Sequence, residues 1–245
     1  MNQQANKPAS QQANKSTYVG LLQKLKKDGI VIIEDFVTLE NIAKINAELN
    51  PIIVEYLKDP SKYSGYINSE FAVNRLFEAD KHSEAANINF FENSFIDDIA
   101  KSCASKNVVS FQRMFEEKGA VGKCSVADSF HFDDWKHRFK AFLYLNDVDV
   151  NNCPFVYIKG SHNKSWSSRF RKELEYYLYG RNGAYGYFMA HEVDGILREL
   201  DVEPTVCTGK AGTLILVDTR GLHRGTNSVN GKRLLLGNYF GIRKK

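Results

Sequence analysis

Hydrophobic periodicity divides this chain at its middle. The N-terminal half repeats apolar residues at helical spacing, while the C-terminal half repeats short β-branched and aromatic runs bounded by turn formers. Leu21, Leu22 and Leu25 form a helical stripe that stops at Asp28-Gly29. Residues 30–33 (IVII) read as a buried strand. Residues 39–57 read as a helix with Ile42, Ile45, Leu49, Ile52, Ile53 and Tyr56 near one face. Pro51 is expected to kink or split it. Residues 61–92 read as irregular, and 95–104 as a further helix. Strands are then predicted at 108–115, 139–145 (FKAFLYL), 155–159, 213–217 (TLILV) and 234–242 (LLLGNYFGI). Helices first and strands second predict an α+β domain whose core is an antiparallel sheet pair or barrel.

Two segments stand outside that pattern. Gln3-Gln4-Ala5-Asn6-Lys7 recurs as Gln11-Gln12-Ala13-Asn14-Lys15. So polar a stretch has too little apolar surface to offset its ordering entropy, so residues 1–15 are expected to be a disordered tail before one domain at 16–245. Residues 163–201 interrupt the strands with two predicted helices, 165–179 and 191–200, around an RNGAYGY loop. A long insertion between core strands is expected to pack on the exterior or to cover a site as a lid.

Composition narrows the classes. Hydrophobic residues make up 43% and charged residues 25% of 245, which excludes a wholly disordered chain, a fibrous repeat and a disulfide scaffold. Lys and Arg number 33 against 29 Asp and Glu, a net +4 too mild to point to nucleic acid. Cys103, Cys124, Cys153 and Cys207 are too far apart for a Cys-x-x-Cys metal or redox site. No apolar run approaches the roughly 20 residues that span a bilayer, and the N-terminus lacks the apolar stretch of a signal peptide. Reduced thiols in a cytoplasmic protein, monomeric or homodimeric, are the expectation.

The chemistry begins at Phe130-His131-Phe132-Asp133-Asp134. Residues alternate faces in an extended segment, so His131 and Asp133 fall on one side. An imidazole and a carboxylate converging there suit a metal of intermediate hardness such as Fe(II). Alone the pair is weak, because a polar surface turn reads the same way. A second piece, Asp218-Thr219-Arg220-Gly221-Leu222-His223-Arg224-Gly225, follows the TLILV run. Arg233 opens the last predicted strand and offers a permanently charged fork for a carboxylate. Two His, one Asp and one Arg match a facial triad with open coordination positions and an anchor for an anionic co-substrate.

Three blocks in order carry a more specific signal: DGIVIIEDFVTLENI, then HFDDWKHRFKAFLYLNDVDVNNCPFVYIKGSH, then GTLILVDTRGLHRGTNSVNGKRLLLGNYF. Together they resemble the phytanoyl-CoA dioxygenase family of Fe(II)- and 2-oxoglutarate-dependent oxygenases, over nearly the whole chain from about residue 27. The resemblance implies a double-stranded β-helix (jelly-roll, cupin-like) core with flanking N-terminal helices and a helical insertion. It implies iron ligation by His131, Asp133 and His223, and a pairing of Arg233 with the far carboxylate of 2-oxoglutarate. Phe142 falls where the family often places an aromatic beside that co-substrate, with Tyr144 on the same face of its strand. Gln112 and Arg75 fall near positions that contact co-substrate or line the site in relatives. One departure is Gly225, where many relatives carry Ser; the hydroxyl contact then passes to Thr226, Tyr144 or water. The carboxylate of Asp133 favours oxygen chemistry over halogenation, since related halogenases have a small residue there.

The implied activity is hydroxylation of a small molecule, with 2-oxoglutarate and O2 converted to succinate and CO2. Desaturation, epoxidation and cyclisation share the same iron site. A non-catalytic jelly-roll binding protein is the reading from another class, and a zinc hydrolase would leave Arg233 without a role. His137 is expected on the surface or the substrate side, His162 in a structural turn, and His191 exposed on the insertion. The insertion's basic and aromatic residues, Tyr185 among them, predict a polar or anionic substrate beneath it.

Overall fold

The computed structural model describes residues 15–104, 106–119, 129–133, 138–163, 169–179, 187–228 and 230–242. Most of the expected tail, Asp134, His137 and Tyr185 lie outside the described residues.

Helix α1 (Lys15–Asp28) gives way at Gly29, with φ 79°, to β1 (Ile30–Ile33). A Cβ at Gly29 would overlap the Tyr157 hydroxyl and the His162 ring, so both the left-handed φ and the close approach require glycine. Helix α2 (Leu39–Lys58) starts at Thr38, whose hydroxyl accepts from the Asn41 amide at 3.3 Å. It runs through Pro51 without the expected split, because Ile42, Ile45 and Leu49 before the proline and Ile53 and Tyr56 after it are all buried. Tertiary packing outweighs the lost hydrogen bond.

Residues 61–92 are not irregular. They hold a hairpin, β2 (Gly65–Asn68) and β3 (Val73–Phe77), and then α3 (Glu84–Ala86), which runs into a π-helical turn at Asn87–Phe91. Strand β2 is largely exposed, so no hydrophobic alternation marks it, and pairing with β3 makes it a strand. Helix α4 (Ser94–Cys103) follows.

The strands come next: β4 (Val108–Gly119), β5 (Arg138–Tyr144) and β6 (Phe155–Tyr157). The insertion supplies α5 (Arg169–Tyr179) and α6 (Ala190–Leu200). The chain ends with β7 (Thr205–Cys207), β8 (Leu214–Asp218), β9 (His223–Arg224) and β10 (Lys232–Ile242). Seven strands pair in the order β1-β8-β5-β10-β4-β3-β2, and three in the order β7-β6-β9. Every named pair is antiparallel.

Alternation on β5 explains how the layers stack. Ala141 and Leu143 face outward onto the N-terminal helices, in a core with Ile45, Leu49, Phe90 and Ile99. Phe142 and Tyr144 face inward and meet Phe155, Tyr157 and Cys207 of the small sheet. Val156 and Ile158 back onto Val193 and Ile196 of α6 in a third cluster. Each such Phe, Leu or Ile stabilises the fold by roughly 1.5–3 kcal/mol relative to exposure. The result is a double-stranded β-helix: helices cover the back of the large sheet and α6 covers the back of the small one. Among the described residues no helix is long and apolar enough to cross a membrane, and Cys103, Cys153 and Cys207 form no disulfide.

Candidate active site

The site lies between the two sheets. His223 is the first residue of β9, and His131 sits on an isolated bridge beside it. The two residues exchange both backbone hydrogen bonds at 2.9 Å, and their ring centroids are 4.5 Å apart. The Asp133 amide donates to Thr219 O at 3.0 Å, which ties the second ligand strand to the same turn. One donor atom from each of His131, Asp133 and His223 lies within 4.8 Å of the others.

The donor chemistry fits a divalent transition metal. Nδ1 of His131 lies 2.9 Å from Ser129 O, and Nδ1 of His223 lies 2.9 Å from Gly221 O. A carbonyl only accepts, so Nδ1 carries the proton in both rings and Nε2 keeps its lone pair for a metal. Burial, reinforced by His223 beside it, pushes His131 down to about 3, so its ring is neutral. Burial alone would raise the Asp133 carboxyl. Lys140 first and His223 second outweigh it and hold the group well below its ordinary value, as an anion. Two imidazoles and one carboxylate brought together beside a cavity fit the donor set of a non-haem Fe(II) site.

That cavity, of about 110 Å³, runs from His131 and His223 to Arg233. Cross-strand register builds its far end. Tyr144, Leu235, Glu116 and Arg75 form one row across β5, β10, β4 and β3, and Arg233 pairs with Lys118 in the next. Nη1 of Arg233 donates to Cys153 O at 2.7 Å and Nη2 to Glu116 at 2.6 Å. Arg75 Nε donates to the other Glu116 oxygen at 2.6 Å. Burial alone would raise the Glu116 carboxyl, but Arg75 and Arg233 pull it down to about 2. The Nε of Arg233 is buried without a hydrogen-bond partner among the described residues. Two arginines sharing one carboxylate, with an unsatisfied guanidinium donor on Arg233, fit an incoming carboxylate.

The other expected residues divide. Phe142 lines the cavity, 5.5 Å from the Phe155 ring and 6.1 Å from the Tyr239 ring. Tyr144 lines it too, but its hydroxyl donates to Cys207 O at 2.7 Å. Thr226 donates its hydroxyl to Pro154 O at 2.7 Å. Neither proton is therefore turned toward a co-substrate, while Gly225 does line the cavity. Gln112 pairs with Tyr239 but lines a separate groove with Phe77, Glu78 and Arg113. Arg75 lines the cavity. His162 is buried in its turn, with Nε2 3.1 Å from Lys26 O. His191 is exposed.

Sequence reading missed Lys140, Glu116, Lys118 and Tyr239, which all line the cavity. The signal was available for one of them: stepping back two residues from Phe142 along the strand reaches Lys140 on the same face. Glu116 and Lys118 lie beyond the predicted end of β4, where charged residues break the apolar pattern.

Fold and donor set together define the class: a double-stranded β-helix protein with a His-Asp-His set that could hold a metal ion. The chain belongs to the phytanoyl-CoA dioxygenase family, whose sequence model matches residues 25–233. It is 26% identical over 158 residues to the dioxygenase olcK of Penicillium canescens, covering 61% of this chain. This chain spans about 50% of that relative's length. The fold is similar to that of the α-ketoglutarate-dependent epimerase SnoN of nogalamycin biosynthesis, with TM-score 0.67, 16% identity and coverage of 93% of this chain and 84% of the other. SnoN has also been solved with Fe3+, α-ketoglutarate and a nogalamycin. The fold is likewise similar to that of EctD from S. alaskensis with bound Fe, with TM-score 0.68, 15% identity and coverage of 92% and 78%. At these identities the likeness is one of fold.

Proposed function

We propose that this protein is an Fe(II)- and 2-oxoglutarate-dependent dioxygenase that hydroxylates a C–H bond of a small molecule, with 2-oxoglutarate and O2 converted to succinate and CO2. The observation that carries the reading is one cavity lined by His131, His223 and Arg233, with the Asp133 carboxylate within 4.8 Å of the two imidazoles. Iron held there supplies O2 activation coupled to decarboxylation of the co-substrate.

The chain's own residues do the rest. His131, Asp133 and His223 would hold the metal, the two histidines through the Nε2 atoms that their backbone-bound Nδ1 atoms leave available. Arg233, with Lys118 and Arg75 beside it, takes the distal carboxylate of 2-oxoglutarate. Phe142 and Phe155 wall the passage between the two ends and exclude water. Residues 163–201 act as a lid within the single domain 16–245. Support for the lid is Tyr187, whose backbone bridges His131 and whose ring lies 5.4 Å from that imidazole. A polar or anionic substrate suits the cationic residues of the cavity and insertion.

The likeness of fold to an α-ketoglutarate-dependent epimerase and an α-ketoglutarate-dependent carbocyclase favours a second outcome, in which the same site inverts a carbon centre or closes a ring rather than hydroxylating. Anaerobic titration with Fe(II) and 2-oxoglutarate tests the site through its charge-transfer band. A substrate panel scored by succinate release, with product mass, separates an added oxygen from epimerisation or ring closure. No band and no succinate with any substrate would leave a non-catalytic binding protein.

A further inference from the structure

Each of the three metal donors is held from behind by a second atom. For the two histidines the holding group is backbone, Ser129 O and Gly221 O. For Asp133 it is a side chain. Lys140 Nζ lies 2.7 Å from Oδ2, while Oδ1 lies 3.7 Å from His223 Nε2. The two oxygens of one carboxylate are thus assigned to different neighbours: Oδ1 to the donor cluster and Oδ2 to the lysine.

Lys140 is built into this position. It precedes Phe142 by two residues on β5, so the pleat turns it inward. Its register partner on β10 is Tyr239, whose ring centroid lies 4.2 Å from the ammonium. The lysine side chain is only 15% exposed, as is that of Asp133. An ammonium so buried is unfavourable without a counter-charge, and the carboxylate with the aromatic face offsets that cost. A lysine serving solubility would not be placed there.

On the iron and 2-oxoglutarate reading above, we propose that Lys140 is a positioning residue that keeps Asp133 monodentate. Holding Oδ2 leaves Oδ1 alone to face the metal. A carboxylate free to turn can offer both oxygens and fill a coordination position that the chelating keto acid end of 2-oxoglutarate requires. Groups behind the ligands commonly set ligand orientation in this way, and their loss typically changes affinity by about 10- to 100-fold. Lys140 is a side chain in this role, so it can be replaced without disturbing backbone.

Lys140→Met, read by anaerobic titration with Fe(II) and then 2-oxoglutarate, tests the proposal without turnover. The expected result is one equivalent of Fe(II) bound as in wild type, with the 2-oxoglutarate midpoint of the charge-transfer band raised about tenfold or more. Lys140→Arg should restore most of the band. An unchanged midpoint in Lys140→Met, with a normal wild-type band, overturns the proposal alone. A wild-type protein that binds Fe(II) but shows no band overturns the reading beneath it, and the proposal with it. Should Lys140→Met not fold, isotope-edited infrared spectra of the wild-type Zn(II) complex decide. A wide splitting of the aspartate carboxylate stretches, as for one bound oxygen, is expected; a narrow, bidentate splitting overturns the proposal.

Discussion

Glu116 grips the guanidinium of Arg233 at 2.6 Å, with both side chains 6% exposed. Its other oxygen holds Arg75, so one carboxylate fixes two arginines in the wall of the cavity that His131 and His223 also line. Arg233→Ala therefore has two expected effects. The 2-oxoglutarate requirement rises roughly 10- to 100-fold, the scale of a lost hydrogen bond to a charged group. Stability falls by about 3 kcal/mol, because a buried carboxylate loses a partner. Arg233→Lys restores charge but not the fork, and should recover stability better than co-substrate binding. Steady-state kinetics in 2-oxoglutarate and urea unfolding measure the two effects separately.

The same carboxylate sets an acid limit. Arg75 and Arg233 overcome burial and hold Glu116 at about 2 in the folded state. A depressed folded value means that the contribution is present above the ordinary carboxylate range and is lost as pH falls from about 4.5 toward 2. Its size is on the order of 3 kcal/mol. Urea midpoints of the metal-free protein between pH 6 and 2.5 should fall steeply in wild type and more gently in Glu116→Gln, which has no proton to take up. Parallel profiles would show that other groups govern acid unfolding.

His131→Ala and His223→Ala are each expected to abolish stoichiometric Fe(II) binding and succinate formation. The fold should survive, since the backbone bonds between the two residues do not need the rings. Full activity in either variant would remove the triad from consideration.

The lid has its own test. Arg169 anchors the start of α5 through the carbonyls of Ser161 and Arg220, and Tyr187 touches His131. Replacing residues 170–186 by a short glycine-serine linker spares both. Coupled hydroxylation should be lost while Fe(II) and 2-oxoglutarate binding persist. Unchanged coupled turnover would show that these residues only pack on the exterior.

Strong hydrophobic periodicity was legible wherever one face of an element is buried. The runs at 139–145, 213–217 and 234–242 became β5, β8 and β10 to within two residues at each end. Residues that serve the cavity were harder to read. Strand β4 runs past the predicted end at 115 to Gly119, because Glu116 and Lys118 are charged residues buried against other charges. Local pattern reads such residues as the end of a strand, and a site is where local rules are expected to fail. The two-residue β9 gave no pattern at all, and only its pairing with β6 makes it a strand.

Residue type and order by themselves determined the fold class, the family likeness and the candidates His131, Asp133, His223 and Arg233, because chemistry of that kind needs particular side chains in a particular sequence. Tertiary structure alone decided who stands beside them. The approach of Lys140 to Asp133, the Arg75-Glu116-Arg233 relay and the turning of the Tyr144 and Thr226 hydroxyls to backbone carbonyls all depend on strand register and sheet stacking. Those contacts join residues far apart in the chain, and no local periodicity encodes them.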